Sequence, residues 1–436
     1  MRRLKFIEAL LRWKWYPDIL RIPVFIGTIY LLYALLFGDQ AEGRNTGLSL
    51  LWVVFWSLLP IAFVLFGRFW CGICPFSLAG DLVQKMVGNE IHPPLFIKKY
   101  GVWFAYSFFI VILLIEALVH MPRSTAASGI LLLTIFTMAM ISGAFFRRRT
   151  WCRYLCPLGV GGGVFSRLRV IKLSKDNATC NECKEFECLQ GSEKAKGCPM
   201  GLCLRKHDLD ADCISCGNCL KNCPNDSPRI QLHHPVRGFL SNVKLNHAES
   251  AFASSFIGFS IALYLVKDYL GKVDRTVGFE NSVWNELVVI LLFTGLSFSL
   301  FYLFSFIMRP VTGQSQKHNF RFFGFFLIPY IFFALFNLTS IHGVSLHGMT
   351  LFYNLKTLLG LPLHEPLFHR HPLIGLQGMH IIQGIGILAG NIFSIVFCLH
   401  ELKKVLSNRE RNKIIAVFSI FLVMITGYSL YLFVVL

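Results

Sequence analysis

Long apolar stretches alternate with short polar connections along most of the chain. An apolar stretch of about 20 residues is long enough to cross a hydrocarbon core of about 30 Å as a helix. A hydrophilic segment at about 172–240 follows the fourth stretch. We therefore predict an all-α polytopic membrane protein with one small α+β insert. The nine predicted spans are about 19–38, 48–67, 101–120, 127–146, 250–270, 285–308, 322–341, 375–398 and 414–435.

The composition and the charge distribution agree with this prediction. Of the 436 residues, 54% are hydrophobic and only 15% are charged, against about 25% charged in soluble domains. With residues 172–237 left aside, 24 lysines and arginines fall in the connections on one side of the spans. Only six fall on the other side, namely Arg44, Arg123, Lys272, Arg275, Lys356 and Arg370.

Positive residues collect in cytoplasmic loops, so this asymmetry predicts the orientation in the membrane. We expect a multi-pass protein of the bacterial inner membrane, with the N-terminus and the insert in the cytoplasm and the C-terminus outside. The formal net charge of +18 then needs no nucleic-acid partner.

The spans divide the chain into four expected regions. Residues 1–18 form an interfacial N-terminal segment, which lacks a signal-peptide cleavage site and is retained. Residues 19–171 hold four spans, 172–240 hold the insert, and 241–436 hold five spans with a histidine-rich outer loop at 342–380. With fewer than 70 residues, the insert buries too small a core to be stable without staples.

Cysteine spacing indicates which bound groups stabilise the insert. The run Cys213-x2-Cys216-x2-Cys219-x3-Cys223-Pro is the bacterial ferredoxin pattern for two [4Fe–4S] clusters, in which the fourth cysteine ligates the other cluster. A looser copy precedes it, and Cys203 is an alternative there to Cys188 or Cys198. Two neighbouring clusters indicate an electron relay. The expected ligand sets are Cys180, Cys183, Cys188 and Cys223 for one cluster, and Cys213, Cys216, Cys219 and Cys198 for the other.

A second cysteine pattern occurs twice, at the inner ends of the second and fourth spans. Loop one (residues 68–75) reads Arg-Phe-Trp-Cys-x2-Cys-Pro, and loop two (residues 149–157) reads Arg-Thr-Trp-Cys-x3-Cys-Pro. Residues 19–90 and 101–170 therefore form an internal repeat, whose parallel arrangement in a membrane brings the two loops face to face. The expected ligands of a third [4Fe–4S] cluster are Cys71, Cys74, Cys152 and Cys156. Zinc, a purely structural role and a thiol–disulfide pair are the alternatives.

The paired loops, followed by a two-cluster ferredoxin segment, resemble the NapH/NosR-like membrane polyferredoxins of the periplasmic nitrate and nitrous-oxide reductase systems. They are also similar to the iron–sulfur copper-assembly protein of cytochrome oxidase maturation. The resemblance covers about residues 19–235. It implies electron transfer between the quinone pool or a cytoplasmic donor and an extracytoplasmic redox protein. We expect an electron-transfer subunit of an oxidoreductase system rather than a stand-alone enzyme.

Histidines are concentrated near the predicted outer loop. Imidazole at this face suits haem b or copper, and a redox group is needed there if electrons are to cross about 30 Å of hydrocarbon. His380 with His342 or His347 is the candidate haem, copper or quinone site, and solvated loop histidines are the alternative. A copper reductase or assembly factor and a cluster-based redox sensor are the competing functions. The six histidines are His342, His347, His364, His369, His371 and His380.

Overall fold

A computed structural model gives the architecture of the chain. It describes residues 2–40, 44–89, 91–206, 209–234, 239–240, 246–266, 283–358, 374–404 and 407–435. Within these residues, seven helices are long and apolar enough to cross a membrane. They are Asp18–Phe37, Thr46–Phe66, Leu95–Glu116, Thr125–Phe145, Trp284–Ile307, Ile328–Ser345 and Gln377–Leu402.

These helices match seven of the nine predicted spans. The predicted fifth and ninth spans fall on the helices His247–Tyr264 and Asn408–Val435, which are not among the seven. The total of nine therefore stays a prediction. The seventh span begins later than predicted, because the helix Gln316–Phe326 ends and a new helix starts at Ile328. Pro329 lies in the first turn of that new helix, where proline is well tolerated.

The chain forms two compact units. The first comprises Met1–Gly38, Ile61–Phe109 and Ala126–Asn242, and the second comprises Asp39–Pro60, Ile110–Thr125 and Val243–Leu436. All the cysteines of the three expected clusters belong to the first unit.

The insert in the first unit combines short helices with a small sheet, to which the N-terminal segment adds one strand and one helix. The strands are β1 (Arg2–Arg3, from the N-terminal segment), β2 (Ile171–Ser174), β3 (Gly191–Ser192), β4 (Ala195–Lys196) and β5 (Arg229–Leu232). Strand β5 lies between β1 and β2 and pairs antiparallel with both, with Arg3 opposite Gln231 and Ile171 opposite Leu232. Strands β3 and β4 form a separate hairpin. The N-terminal helix is Lys5–Arg12, and the short helices of the insert are Asn177–Glu182, Glu187–Gln190, Leu209–Asp212 and Asn218–Asn222.

A helix begins directly after the second cysteine of each membrane loop. Loop helix one is Pro75–Val87 and loop helix two is Pro157–Phe165. Proline is favoured at the first helical position because its φ is already helical and its missing N–H would have no partner there. Each Cys-Pro pair therefore places a sulfur at a helix N-terminus, where backbone N–H groups stabilise negative charge. In loop helix two the Gly159 N–H donates to Cys156 Sγ over 3.3 Å.

The second unit is built from packed helices. Phenylalanine rings fill its core, among them Phe301, Phe304 and Phe418, which are almost fully buried. The Asn337 side chain donates to the backbone carbonyl of Gln383 over 2.7 Å and so joins two helices across the interior. The remaining helices of this unit are Val283–Ile307, Arg309–Thr312, Ile328–Phe336, His342–Leu358 and Leu376–Leu402, with a π-helical turn at Asn337–Ile341.

Candidate iron–sulfur centres

The cysteines of the insert line two separate cavities. The downstream cavity contains Cys198, Cys213, Cys216 and Cys219. The upstream cavity contains Cys180, Cys183, Cys188, Cys203 and Cys223. Cys198 therefore lies with the downstream three cysteines and Cys223 with the upstream three. This is the exchange expected from the bacterial ferredoxin pattern, and ligation itself stays a prediction.

Burial makes these cysteines reluctant to ionise without a bound cation. Burial first, and then neighbouring thiols such as Cys198, raise the pKa of Cys216 to about 12. Burial likewise raises the pKa of Cys188 to about 11, with Cys203 and Cys183 adding to the effect. Only thiolates bind metal, so cluster binding in these cavities is coupled to the release of protons.

Cys203 lies in the upstream cavity beside Cys188. It is buried, and it is not among the residues that line the downstream cavity. Of the two cysteines that it was expected to compete with, the structure therefore places it with Cys188 and away from Cys198. Cys398, the other cysteine outside the expected sets, is buried in a helix of the second unit.

The two membrane loops bring their four cysteines together. Burial first, and then the thiols of Cys152 and Cys71, raise the pKa of Cys156 to about 12. The pKa of Cys74 is also raised, first by burial and then by Cys152 of the other loop. The cysteines of each loop therefore lie close enough to those of the other loop to raise their pKa, as expected for loops that face one another.

Two buried arginines hold the loops together reciprocally. Arg68 of loop one donates to the backbone carbonyl of Cys152 in loop two over 2.7 Å. Arg149 of loop two donates to the backbone carbonyl of Cys71 in loop one over 3.1 Å. Each arginine stands three residues before the first cysteine of its own loop. We call this pair of contacts the arginine clasp.

The clasp is anchored by a partly exposed carboxylate that the sequence gives no reason to select. Asp81 of loop helix one accepts from Arg149 over 2.9 Å and from Arg21 over 2.5 Å. Burial alone would raise the pKa of Asp81, but the two guanidinium groups outweigh burial and hold the pKa below its ordinary value. Arg68 has a carboxylate partner too, Asp212 at 3.4 Å.

Loop one and loop two repeat a backbone conformation as well as a cysteine pattern. Gly67 and Arg148, which precede the clasp arginines, both adopt left-handed φ values of +66° and +58°. Loop two has one more residue between its cysteines than loop one. It forms a π-helical turn at Trp151–Leu155, where loop one has the α-helix Phe69–Ile73. The wider turn absorbs the extra residue, so both loops deliver Cys-Pro to the start of a helix.

Loop one lies directly against the downstream cysteines of the insert. A Cβ atom added to Gly72 would lie 2.5 Å from the backbone carbonyl oxygen of Ile214, which stands between Cys213 and Cys216. Loop helix two also approaches the insert, since a Cβ on Gly163 would lie 3.0 Å from the Ala211 carbonyl oxygen. Glycine is therefore required where the membrane loops meet the insert.

The N-terminal segment contributes to the downstream cavity. Leu11 lines this cavity, and the Tyr16 hydroxyl donates to the Ser215 carbonyl over 2.8 Å. The Lys221 ammonium group in turn donates to the Tyr16 carbonyl. Sequence reasoning placed residues 1–18 at the membrane interface and missed their role in this cavity. No local motif marks a contact between residues about 200 positions apart along the chain.

The predicted outer histidine site is only partly described. His342 begins the helix His342–Leu358, and His380 lies in the first turns of the helix Leu376–Leu402. His364, His369, His371 and the side chain of His347 lie outside the described residues. Among the residues that are described, no group of three or more His, Cys, Asp or Glu side chains, the cysteine groups included, is placed to hold a single metal ion. A [4Fe–4S] cube takes one thiolate at each iron, so its four cysteines need not surround one ion. The haem, copper or quinone site stays a prediction.

Comparison with known proteins gives a family match on the membrane repeats. A family described as a 4Fe-4S binding domain matches residues 48–94 and 128–176. The two matched ranges contain loop one and loop two respectively, and the second ends before Cys180. No solved structure matches the chain.

Three relatives with printed names match parts of the chain. YccM of Escherichia coli (strain K12), named as an electron transport protein, is 30% identical over 222 residues, which are 45% of this chain and 59% of YccM. NirI of Paracoccus denitrificans is 29% identical over 162 residues, covering 31% of this chain and 23% of NirI. The ferredoxin-type protein NapH of Haemophilus influenzae is 32% identical over 102 residues, covering 22% of this chain and 33% of NapH.

The chain thus spans less than two thirds of the length of YccM, and smaller shares of the other two. The relatives and the family match agree with the resemblance carried by the duplicated Trp-Cys and Cys-Pro loops. The comparisons therefore support the resemblance to the NapH/NosR-like membrane polyferredoxins and the iron–sulfur, electron-transport and membrane character of the chain.

Proposed function

We propose that this protein relays electrons through three [4Fe–4S] clusters between a donor and an acceptor at the bacterial inner membrane. The observation that carries the proposal is the close packing of three cysteine groups within one compact unit. The membrane group is Cys71, Cys74, Cys152 and Cys156. The second group is Cys198, Cys213, Cys216 and Cys219, and the third is Cys180, Cys183, Cys188 and Cys223.

The contacts between the groups support a fixed order of transfer. Gly72 of the membrane group lies against Ile214 of the second group, and Leu204 lines the cavities of both the second and the third group. Electrons would therefore pass between the membrane group and the third group by way of the second. A bound cluster supplies one-electron transfer at each position.

The membrane group has the charge environment that a cluster needs. The 4Fe-4S family match covers these two loops and supports a cluster over zinc or a thiol–disulfide pair. A cube with four thiolates is anionic, and hydrogen bonds and cations around the sulfurs stabilise it. Arg68 and Arg149 are buried there and lie close enough to Cys71 and Cys152 to interact with their charge.

The partners follow from the proposed position in the membrane. The basic connections support a cytoplasmic N-terminus and insert and an outer C-terminus. On this arrangement the protein is a subunit of an oxidoreductase system, and its partners are the quinone pool, a cytoplasmic redox protein or an extracytoplasmic one. The names of YccM and NapH agree with such a role.

Iron and acid-labile sulfide analysis of the purified full chain, with EPR of the reduced protein, tests the proposal. We expect about twelve irons per chain, corresponding to three cubes. The double variant Cys152→Ala/Cys156→Ala should retain about eight. The matched control Cys398→Ala, in the second unit, should retain all of them. Zinc in place of four of the irons would overturn the membrane cluster, and a protein without iron would overturn the function.

A further inference from the structure

A strongly basic cavity lies between loop two and the insert, and it shares one lining residue, Met200, with the downstream cysteine cavity. Its volume is about 180 Å³, enough for a phosphate group but smaller than the roughly 300–1,000 Å³ of pockets that enclose a whole small molecule. None of its described lining residues is acidic. Five of them are lysine or arginine, namely Lys98, Arg147, Arg148, Arg149 and Arg153.

These cations come from the ends of two apolar helices. Lys98 lies in the first turn of Leu95–Leu118, and Arg147 is the second residue after Thr125–Phe145. Both helices are long and apolar enough to cross a membrane. The cavity therefore lies at the level where such helices leave the hydrocarbon core and meet the lipid headgroups.

Exposed apolar side chains flank the basic residues along the chain. Leu95 and Phe96 are 82% and 70% exposed and stand just before Lys98. Phe145 is 52% exposed and stands just before Arg147. A soluble anion makes no favourable contact with these apolar side chains. The acyl chains of a lipid can pack on them while its phosphate occupies the cavity.

The remaining polar groups fix the shape of the cavity. The His92 ring and the Arg147 guanidinium group lie 2.6 Å apart, so a neutral His92 accepts from Arg147. Arg153 donates to the Met200 carbonyl over 2.8 Å, which ties the cavity wall to the turn after Cys198. Arg149 is paired with Asp81, which does not line the cavity, but the lysine and arginines of the lining still repel one another, and a bound anion relieves that repulsion.

We propose that this cavity binds the phosphodiester headgroup of an anionic phospholipid, with its acyl chains on the adjacent apolar surface. Basic pockets between membrane helices on the cytoplasmic side are suited to such headgroups. No cysteine of the three groups lines the cavity, but Arg149 of the arginine clasp and Arg153 of loop two do. Variants that leave these two arginines in place therefore test lipid binding separately from cluster binding.

The test uses the full chain purified in detergent and titrated with phosphatidylglycerol in mixed micelles. Phosphatidylcholine is the neutral lipid control, and inorganic phosphate is the soluble control. Bound lipid is counted by mass spectrometry of the intact protein, and the thermal unfolding midpoint gives the apparent affinity. We expect phosphatidylglycerol to bind and stabilise the protein, while phosphatidylcholine and inorganic phosphate do neither.

The double variant Lys98→Gln/Arg147→Gln should bind phosphatidylglycerol about tenfold more weakly or worse, given the contribution of each basic residue near an anionic surface. The matched control Lys85→Gln/Lys99→Gln removes the same charge from nearby exposed lysines outside the cavity and should change the affinity less than about twofold. An unchanged iron content shows that each variant is folded. If the double variant does not fold, Lys98→Glu alone, at an exposed position, carries the same expectation.

Three results would overturn the proposal. Equal weakening in the control variant would show only a diffuse attraction of lipid to basic loops. Displacement of the lipid by inorganic phosphate at similar concentration would indicate a site for soluble phosphates. Equal binding of phosphatidylcholine would remove the role of the headgroup charge.

Discussion

Loop one and loop two reach equivalent positions with different local structures. They share the clasp arginine, the left-handed residue before it and the Cys-Pro start of a helix. They differ at the residue after the first cysteine, which is Gly72 in loop one and Arg153 in loop two. Gly72 allows the Ile214 backbone to approach, whereas Arg153 extends to the Met200 carbonyl. The residue type at this position therefore follows from the segment that packs against each loop and not from the repeat.

The arginine clasp provides the largest expected contrast between the loops. Arg149→Gln should lower the free energy of unfolding by about 3 kcal/mol, because it removes a charge-assisted hydrogen bond to the partly exposed Asp81 and the donor to the Cys71 carbonyl. Arg68→Gln should lower it by about 1–2 kcal/mol, since it mainly leaves the Cys152 carbonyl without a donor and its contact with Asp212 is longer, at 3.4 Å. Denaturant unfolding measures both, with the exposed Arg309→Gln as control. Equal losses would show that the two halves of the clasp are interchangeable.

The junction with the insert should give a smaller effect that separates the loops in another way. Gly72→Ala places a methyl group against the Ile214 backbone and should lower the free energy of unfolding by about 1–3 kcal/mol. Arg153→Ala should lower it by about 1 kcal/mol through the lost hydrogen bond. Gly27→Ala, in a helix with open space at the added Cβ, is the control and should not destabilise. A harmless Gly72→Ala would contradict the close approach.

The left-handed positions test backbone strain in the two loops. Gly67→Ala should lower the free energy of unfolding by about 2 kcal/mol, because alanine is strained at a φ of +66° and its Cβ would lie 2.6 Å from Cδ of the buried Arg169. Arg148 already carries a side chain at this conformation. The variant Arg148→Gly should therefore be about 1 kcal/mol more stable than Arg148→Ala, since the two differ mainly in backbone strain. Equal stability of these two variants would show that the left-handed backbone does not matter in loop two.

Much of the cysteine arrangement could be predicted from spacing, because close cysteines along a chain stay close in any fold. Spacing also predicted that Cys198 and Cys223 exchange partners, and the structure places them in the corresponding cavities. The repeat could be detected because Arg, Trp-Cys and Cys-Pro recur in the same order. Apolar length predicted seven of the spans for the same local reason.

Contacts between distant residues could not be predicted in this way. Asp81 stands in a helix without any motif, and only the folded chain brings Arg21 and Arg149 to it. The contribution of Leu11 and Tyr16 to the downstream cavity is hidden for the same reason. The later start of the seventh span depends on a helix break at Leu327, which overall hydrophobicity does not reveal.

The pairing of β1 with β5 also constrains how the chain can be threaded through a bilayer. Backbone hydrogen bonds between residues 2–3 and residues 229–232 require both segments to lie on the same side of the membrane, whichever side that is. The number of crossings between them must therefore be even. Four apolar helices separate the two strands along the chain, so this parity holds without any reference to charge. A mutant that lost or gained one crossing would have to give up this edge strand.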